Sequence, residues 1–247
     1  MLSVVAITLL AGHVAPSVDD NNRYLKLTPL GDRIRLAYTV FYGEVPGASE
    51  RRAIDTNGDG QIDDAEARAF AAKLADQVAA ALTVEVDGRT TPVVWTTIDP
   101  GMGTPVVAAG AFSVDLVAYF CFAKPRGRHR VVVHDRFRIP RPGETEAKVD
   151  DAPGVTIESA HVGAADDPTY DFRFAGPGGP LENDGLEVVL FAGKDAPVVS
   201  DGKCPSGARE QDKKTIGLGL ELGLGLVALA ATAGILLWTR RRRARPR

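Results

Sequence analysis

The chain has 247 residues, 25% of them charged, with 29 Lys and Arg against 32 Asp and Glu for a net charge of −3. Six arginines crowd the last eight positions with no acid among them, so everything before that tail is more acidic than the total. That balance excludes a basic nucleic-acid-binding face, and the length between the two chain ends suits one large or two small β domains.

The first ten residues, MLSVVAITLL, are apolar and are followed by Ala-Gly-His-Val-Ala-Pro-Ser. This has the form of a secretory signal over residues 1–17, without the usual positive n-region. Small residues suit cleavage after Ser17; cleavage after Gly12 instead leaves His13 as the new N-terminus. Strands are expected next, at 24–29 and 33–42. In the second, Ile34, Leu36, Tyr38 and Val40 fall on one face and Arg33, Arg35 and Thr39 on the other, the period of a half-buried strand.

Residues 55–66 read Asp-Thr-Asn-Gly-Asp-Gly-Gln-Ile-Asp-Asp-Ala-Glu, which satisfies the EF-hand calcium pattern at every restricted position. Ca²⁺ takes six to eight hard oxygen donors in a loose shell. Asp55, Asn57 and Asp59 supply side-chain oxygens at loop positions 1, 3 and 5. Gln61 at position 7 offers its backbone carbonyl, and Asp63 at position 9 reaches the ion through water. Glu66 at position 12 swings back to chelate with both oxygens. Gly60 supplies the sharp turn, and Ile62 points away into apolar packing. Four carboxylates this close repel one another without a cation, which argues for Ca²⁺ as a cofactor of the folded state.

A helix is expected over 64–82 (DAEARAFAAKLADQVAAAL), rich in Ala and Leu and acidic in its first turn. Phe70, Leu74, Val78 and Leu82 mark its buried stripe. The incoming helix is shorter, 47–54. No second loop of this type occurs in the sequence, and a lone hand reads as a structural or low-affinity site rather than a sensor.

Further strands are expected at 82–87, 92–98, 113–122, 128–138, 154–162, 171–174 and 186–191. Gly, Pro and Asp punctuate them at short intervals, which predicts a mainly β fold: an antiparallel Ig-like sandwich over 18–199 with one helical EF-hand insertion, 47–82. Residues 200–215 read as a polar stalk. Residues 216–239 are expected to form a single C-terminal transmembrane helix, on an apolar run ending at Trp238. The arginines of 240–247 keep the tail in the cytoplasm by the positive-inside rule. The chain is thus expected at a cell membrane, single-pass, with its main domain periplasmic or extracellular. Glu221 lies near the outer end of the run, and Gly219 and Gly223 make a small-xxx-small pair.

Cys121 and Cys204 are the only cysteines. Export permits a disulfide between them. The apolar strand around Cys121 equally suits a buried thiol, and Cys204 is also placed to link two chains. His129, His134 and His161 lack the tight spacing of a transition-metal site. GPGG at 176–179 has no strand–helix context for a phosphate loop. No Ser–His–Asp order, Cys–His pair or zinc signature points to an enzyme.

The stretch NRYLKLTPLGDRIRLAYTVFYGEVPG, then AIDTNGDGQIDDAEARAFAAKLADQVAAALTVEVDGRTTPV and later GRHRVVVHDRF, resembles a group of bacterial exported proteins. In those, a strand pair runs into an acidic EF-like segment, a helix and a strand ending in Asp-Gly. The resemblance covers roughly residues 21–140. Members often sit beside nickel/cobalt permeases, which implies a metal permease as partner. The group often begins its mature chain with His-Pro, whereas this chain has His13-Val14-Ala15-Pro16. Two readings follow. One is a membrane-anchored extracytoplasmic Ca²⁺-binding protein with a structural or interaction role. The other is an accessory subunit of a nickel/cobalt-type permease.

Overall fold

Alternating burial builds the strands. In β2 (Arg33–Tyr42) the side chains of Ile34, Leu36, Tyr38, Val40 and Tyr42 are buried, and those between them are half-buried. In β6 (Phe112–Cys121) Phe112, Val114, Leu116, Ala118 and Phe120 do the same. A computed structural model describes residues 19–176 and 179–198, all within one compact unit. The expectations for 1–17, for the stalk and for the transmembrane segment lie outside the described residues. Among the described residues no helix is long and apolar enough to cross a membrane.

The other elements in chain order begin with β1 (Asn21–Pro29) before β2 and the helices α1 (Glu44–Ile54) and α2 (Asp64–Ala81) after it. Then come β3 (Leu82–Val86), β4 (Arg89–Thr91) and β5 (Trp95–Gly101) before β6, and β7 (Gly127–Asp135), β8 (Pro142–Val149) and β9 (Val155–Val162) after it. The last are β10 (Ala165–Asp166), β11 (Asp171–Ala175), α3 (Pro180–Asn183) and β12 (Leu186–Ala192). They form two six-stranded sheets, β11-β8-β1-β2-β6-β5 and β10-β9-β12-β7-β3-β4. Buried residues of both sheets, Leu36 and Leu116 from the first and Val133 and Leu190 from the second, belong to one hydrophobic core. The fold is mainly β, consistent with a β-sandwich, and the helical pair is inserted between β2 and β3 as expected.

Four details differ from the sequence reading. The sheets are not wholly antiparallel: β8 pairs with β1 in parallel, Tyr24 opposite Glu146 and Leu27 opposite Val149. The chain leaves β7 in one sheet and reaches the free edge of β1 in the other, and this crossover sets the direction. Strand β8 itself was not expected, because GETEAK is half charged; only Thr145, Ala147 and Val149 face inward, and two of these are small. The 92–98 strand is displaced to β5, because β3 first turns back on itself at Asp87 (φ 51°) and Gly88 (φ 75°) to make β4. Such a turn needs positive φ at both central residues, and Asp-Gly tolerates it. Helix α1 starts three residues before 47, since Pro46 fits a first helical turn, where a backbone N–H has no partner anyway.

A buried ion pair ties the sheets together. Arg23 of β1 lies 2.9 Å from Asp135 of β7, with both side chains at most 1% exposed. Tyr38 donates its hydroxyl to Asp135 Oδ2 at 2.9 Å, and the Phe137 amide donates to Oδ1 at 2.8 Å. Arg23 also donates to the Phe137 carbonyl and to Thr145 Oγ1. Burial drives the Tyr38 phenol well above its ordinary range, with the Asp135 charge adding to the rise. It raises Asp135 as well, opposed by Arg23 and by the hydrogen bonds.

Candidate functional site

Helices α1 and α2 bracket the acidic loop, and each is fastened for its own reason. Helix α2 begins at Asp63, whose carboxylate accepts from the amides of Ala65 (2.7 Å) and Glu66 (2.8 Å); Glu66 in turn accepts from the Asp63 amide at 3.1 Å. This reciprocal capping satisfies donors that a helix start leaves unpaired. Ala67, Ala71, Leu74, Ala75 and Val78 form the buried face of α2. Trp95 of β5 donates its indole N–H to the Ala75 carbonyl at 2.8 Å, pinning the helix to the sheet. Phe70 meets Tyr42 and Phe112 edge-on, and those two rings stack on each other.

Between the helices the loop is wound on its own carboxylates. Asp55 Oδ1 accepts from the amides of Gly58 (2.8 Å) and Asp59 (3.2 Å), and Oδ2 from Gly60 (3.0 Å). Asn57 Oδ1 accepts from the Asp59 amide and Asp59 Oδ1 from the Gln61 amide, both at 2.8 Å. Glu66 reaches back across the turn to the loop's start. Its Oε1 accepts from the Thr56 amide (2.7 Å), the Thr56 hydroxyl (2.8 Å) and the Asn57 amide (3.2 Å). These bonds, led by the Thr56 hydroxyl and followed by the Asp63 amide, hold the Glu66 carboxyl below its usual pKa. Gly60 has φ 83°, the left-handed turn expected at position 6. Ile62 at position 8 is 4% exposed and joins the core.

All six predicted residues thus lie on one turn, with Asn57, Asp59, Gln61 and Asp63 exposed and Asp55 and Glu66 half-buried. Among the described residues no three of His, Cys, Asp or Glu are gathered closely enough to hold a metal ion. Asp63 serves as the helix cap in this geometry, and the Glu66 oxygens are engaged by protein donors. The donor set still fits Ca²⁺ by its chemistry, being entirely hard oxygen and lying on an accessible turn.

Sequence reasoning missed the loop's outer support. The connection between β5 and β6, residues 102–111, runs beside it and forms an isolated antiparallel bridge, Gln61 opposite Val106. The Ile62 amide donates to the Pro105 carbonyl at 2.7 Å, and the Val107 amide donates to the Gly60 carbonyl at 3.1 Å. Arg51 of α1 is fully buried and donates to the carbonyls of Met102, Thr104, Val106, Gly110 and Ala111. Its guanidinium also lies 5.3 Å from the centre of the Phe112 ring. Burial lowers the Arg51 pKa, and Glu44 offsets part of the shift. Nothing in the local sequence ERRAI distinguishes Arg51 from Arg52, which is exposed; only helix phase separates them.

The histidines stand elsewhere. His129 is 4% exposed, bonded through Nδ1 to Asp87 (2.9 Å) and stacked on Phe122 at 3.9 Å between ring centres. His134 packs its ring over Gly185, where any Cβ would meet it at 2.9 Å. Cys121 is disulfide-bonded; the sequence's other cysteine, Cys204, lies outside the described residues.

In comparisons with known proteins, no family model matches this chain and no curated protein matches it.

Proposed function

We propose that this chain is a membrane-anchored, extracytoplasmic Ca²⁺-binding protein in which an Ig-like sandwich carries one EF-hand, with a structural or interaction role. The observation that carries the reading is the loop at 55–66. Its oxygen donors occupy every ligand position, its glycine turns at position 6, and its position 8 is anchored in the core. Asp55, Asn57, Asp59, Gln61 through its carbonyl, Asp63 and Glu66 are the residues that would hold the ion. Ca²⁺ would supply the positive charge that lets clustered carboxylates remain ionised together.

An interaction role draws support from apolar side chains left in solvent around the insertion. Val45 of α1, Ile98 of β5 and Val106 beside the loop are 50%, 41% and 41% exposed. The membrane anchor is the apolar run at 216–239 with its arginine tail, and the signal at 1–17 would deliver the domain across the membrane. Binding to the folded state alone adds about 2.7 kcal/mol of stability when free Ca²⁺ is about a hundred times Kd.

Calorimetric titration of the full chain in detergent with Ca²⁺, and then with Ni²⁺ and Co²⁺, tests this. One Ca²⁺ site, lost in Asp55→Ala, is the expected result. Silence toward Ca²⁺ with tight Ni²⁺ or Co²⁺ binding overturns it in favour of the permease-accessory role, which rests on the sequence resemblance alone. Deleting residues 216–247 is expected to release the chain from membranes; retention after deletion refutes the single anchor.

A further inference from the structure

We infer that residues 102–111 are the built-in partner of the lone EF-hand loop, and that Arg51 is a positioning residue that sets Ca²⁺ affinity by holding this segment against it. The inference rests on the Ca²⁺ reading of 55–66 and names what tunes that site.

The geometry acts through one peptide plane. Gln61 is the predicted backbone ligand, and its carbonyl shares a rigid planar unit with the Ile62 N–H. In a trans peptide these two groups point in opposite directions. The Ile62 N–H is directed outward, to the Pro105 carbonyl at 2.7 Å. That bond therefore turns the Gln61 carbonyl away from 102–111, to the side where the Ca²⁺ reading puts the ion, and fixes it there. A hydrogen bond donated on one side of the peptide also polarises the carbonyl on the other. The second bond, from the Val107 amide to the Gly60 carbonyl at 3.1 Å, fixes the preceding peptide, at the turn between Asp59 and Gln61. A loop centre without such a neighbour would have its backbone groups paired only to water.

Segment 102–111 has no regular structure of its own to hold this position, and Arg51 supplies the frame. Nε donates to the Gly110 carbonyl at 3.1 Å, and Nη1 donates to those of Thr104 (2.8 Å) and Val106 (3.3 Å). Nη2 serves Met102 and Ala111. Thr104 and Val106 flank Pro105, whose carbonyl receives the Ile62 amide, so one guanidinium grips both sides of the contact point. Glu44, the first residue of α1, accepts from the Ala111 amide at 3.3 Å. Gly47 allows the close approach: a Cβ there would stand 2.5 Å from the Gly110 carbonyl oxygen. The Arg51 backbone carbonyl meanwhile accepts from the Asp55 amide at 3.0 Å, so the same residue adjoins the first ligand position. The Arg51 side chain bonds to no predicted ligand, and its effect on the ion is transmitted through 102–111.

Coupling of this kind is reciprocal: whatever the segment adds to Ca²⁺ affinity, Ca²⁺ adds to the segment's order. The test measures Ca²⁺ affinity of the full chain and of Arg51→Met, Arg51→Lys, Val107→Pro and Val107→Ala, with amide hydrogen exchange at 102–111 with and without Ca²⁺. Arg51→Met is expected to weaken Ca²⁺ binding about tenfold. Arg51→Lys recovers part of the loss, since an ammonium keeps the charge and three donors but not the planar fork. Val107→Pro deletes the donor to Gly60 together with a side chain that packs against the core, so Val107→Ala, which keeps the N–H, is its control; Val107→Pro is expected to bind Ca²⁺ about fivefold more weakly than Val107→Ala. Ca²⁺ is expected to slow exchange at Val107 and Ile62. If Arg51→Met fails to fold, Val107→Pro decides the matter. A parent chain that binds Ca²⁺, with a folded Val107→Pro equal in affinity to Val107→Ala and no change in exchange at 102–111, overturns this inference and leaves the Ca²⁺ reading standing. A parent chain blind to Ca²⁺ overturns both.

Discussion

Two aspartate sites in this molecule use the same side chain in opposite ways. Asp135 sits between the sheets with its carboxylate 0% exposed, and Arg23, Tyr38 and the Phe137 amide converge on it. The acids of 55–66 sit on a turn in contact with solvent and are held by short-range bonds from the loop's own amides. The first site can exchange nothing with solution, so its charge serves only to register one sheet on the other. The second keeps its oxygens within reach of a dissolved ion. Burial, more than residue type, separates a carboxylate locked into the core from one open to solvent.

The contrast breaks most visibly at the buried site. Asp135→Asn leaves the Arg23 charge without its counter-ion in the core, and removing one partner of a buried pair costs about 3–5 kcal/mol. Chemical denaturation should show that loss, whereas Ca²⁺ affinity of the remaining folded protein should be unchanged. A fall in affinity of the same size would mean that the two sites are not independent. Glu66→Gln tests the other side: it should weaken Ca²⁺ binding roughly a hundredfold by removing a charged bidentate donor, with little change in the melt recorded in EDTA. Affinity equal to the parent's would remove the loop from consideration as an ion site.

Asp63→Ala sharpens the comparison, because Asp63 holds both roles. Loss of the α2 cap is expected to cost about 1 kcal/mol in EDTA, and Ca²⁺ affinity should fall too. A stability loss alone would make Asp63 a cap and nothing more. The smallest effect is on pH. The folded Glu66 carboxyl is held below its ordinary pKa, so its contribution is complete above the normal glutamate range and disappears as pH falls through the lowered value. Melting temperature in EDTA should decline slightly on acidification, and the decline should be shallower in Glu66→Gln. Parallel curves for the two would show that the Thr56 and Asp63 bonds to Glu66 add nothing.

The periodic elements were readable because their burial follows local alternation. Strand β2 begins and ends where its pattern does, and the stripe of α2 at Leu74 and Val78 is buried as expected. Strand β8 escaped notice for a related reason: its inward residues, Thr145, Ala147 and Val149, are too small to outweigh the charges between them. The turn at 55–66 was readable as a turn, with Gly60 at positive φ and Ile62 buried, because both follow from consecutive residues. Its support was not. Pro105 and Val107 lie over forty residues from Ile62 and Gly60, in a stretch whose composition is that of any connecting loop.

The sequence by itself determined the acidic turn, the helix that follows it, most of the strand set and the charge asymmetry of the chain ends. Each depends on neighbours within a few positions. Only the tertiary structure decided that β8 lies parallel to β1, that Arg23 meets Asp135 across the sheets, and that Arg51, unlike Arg52 beside it, turns inward to gather the carbonyls of 102–111. Those outcomes depend on which groups distant in the chain lose water together, and a buried charge or carbonyl accepts whichever partner the packing brings within hydrogen-bond reach.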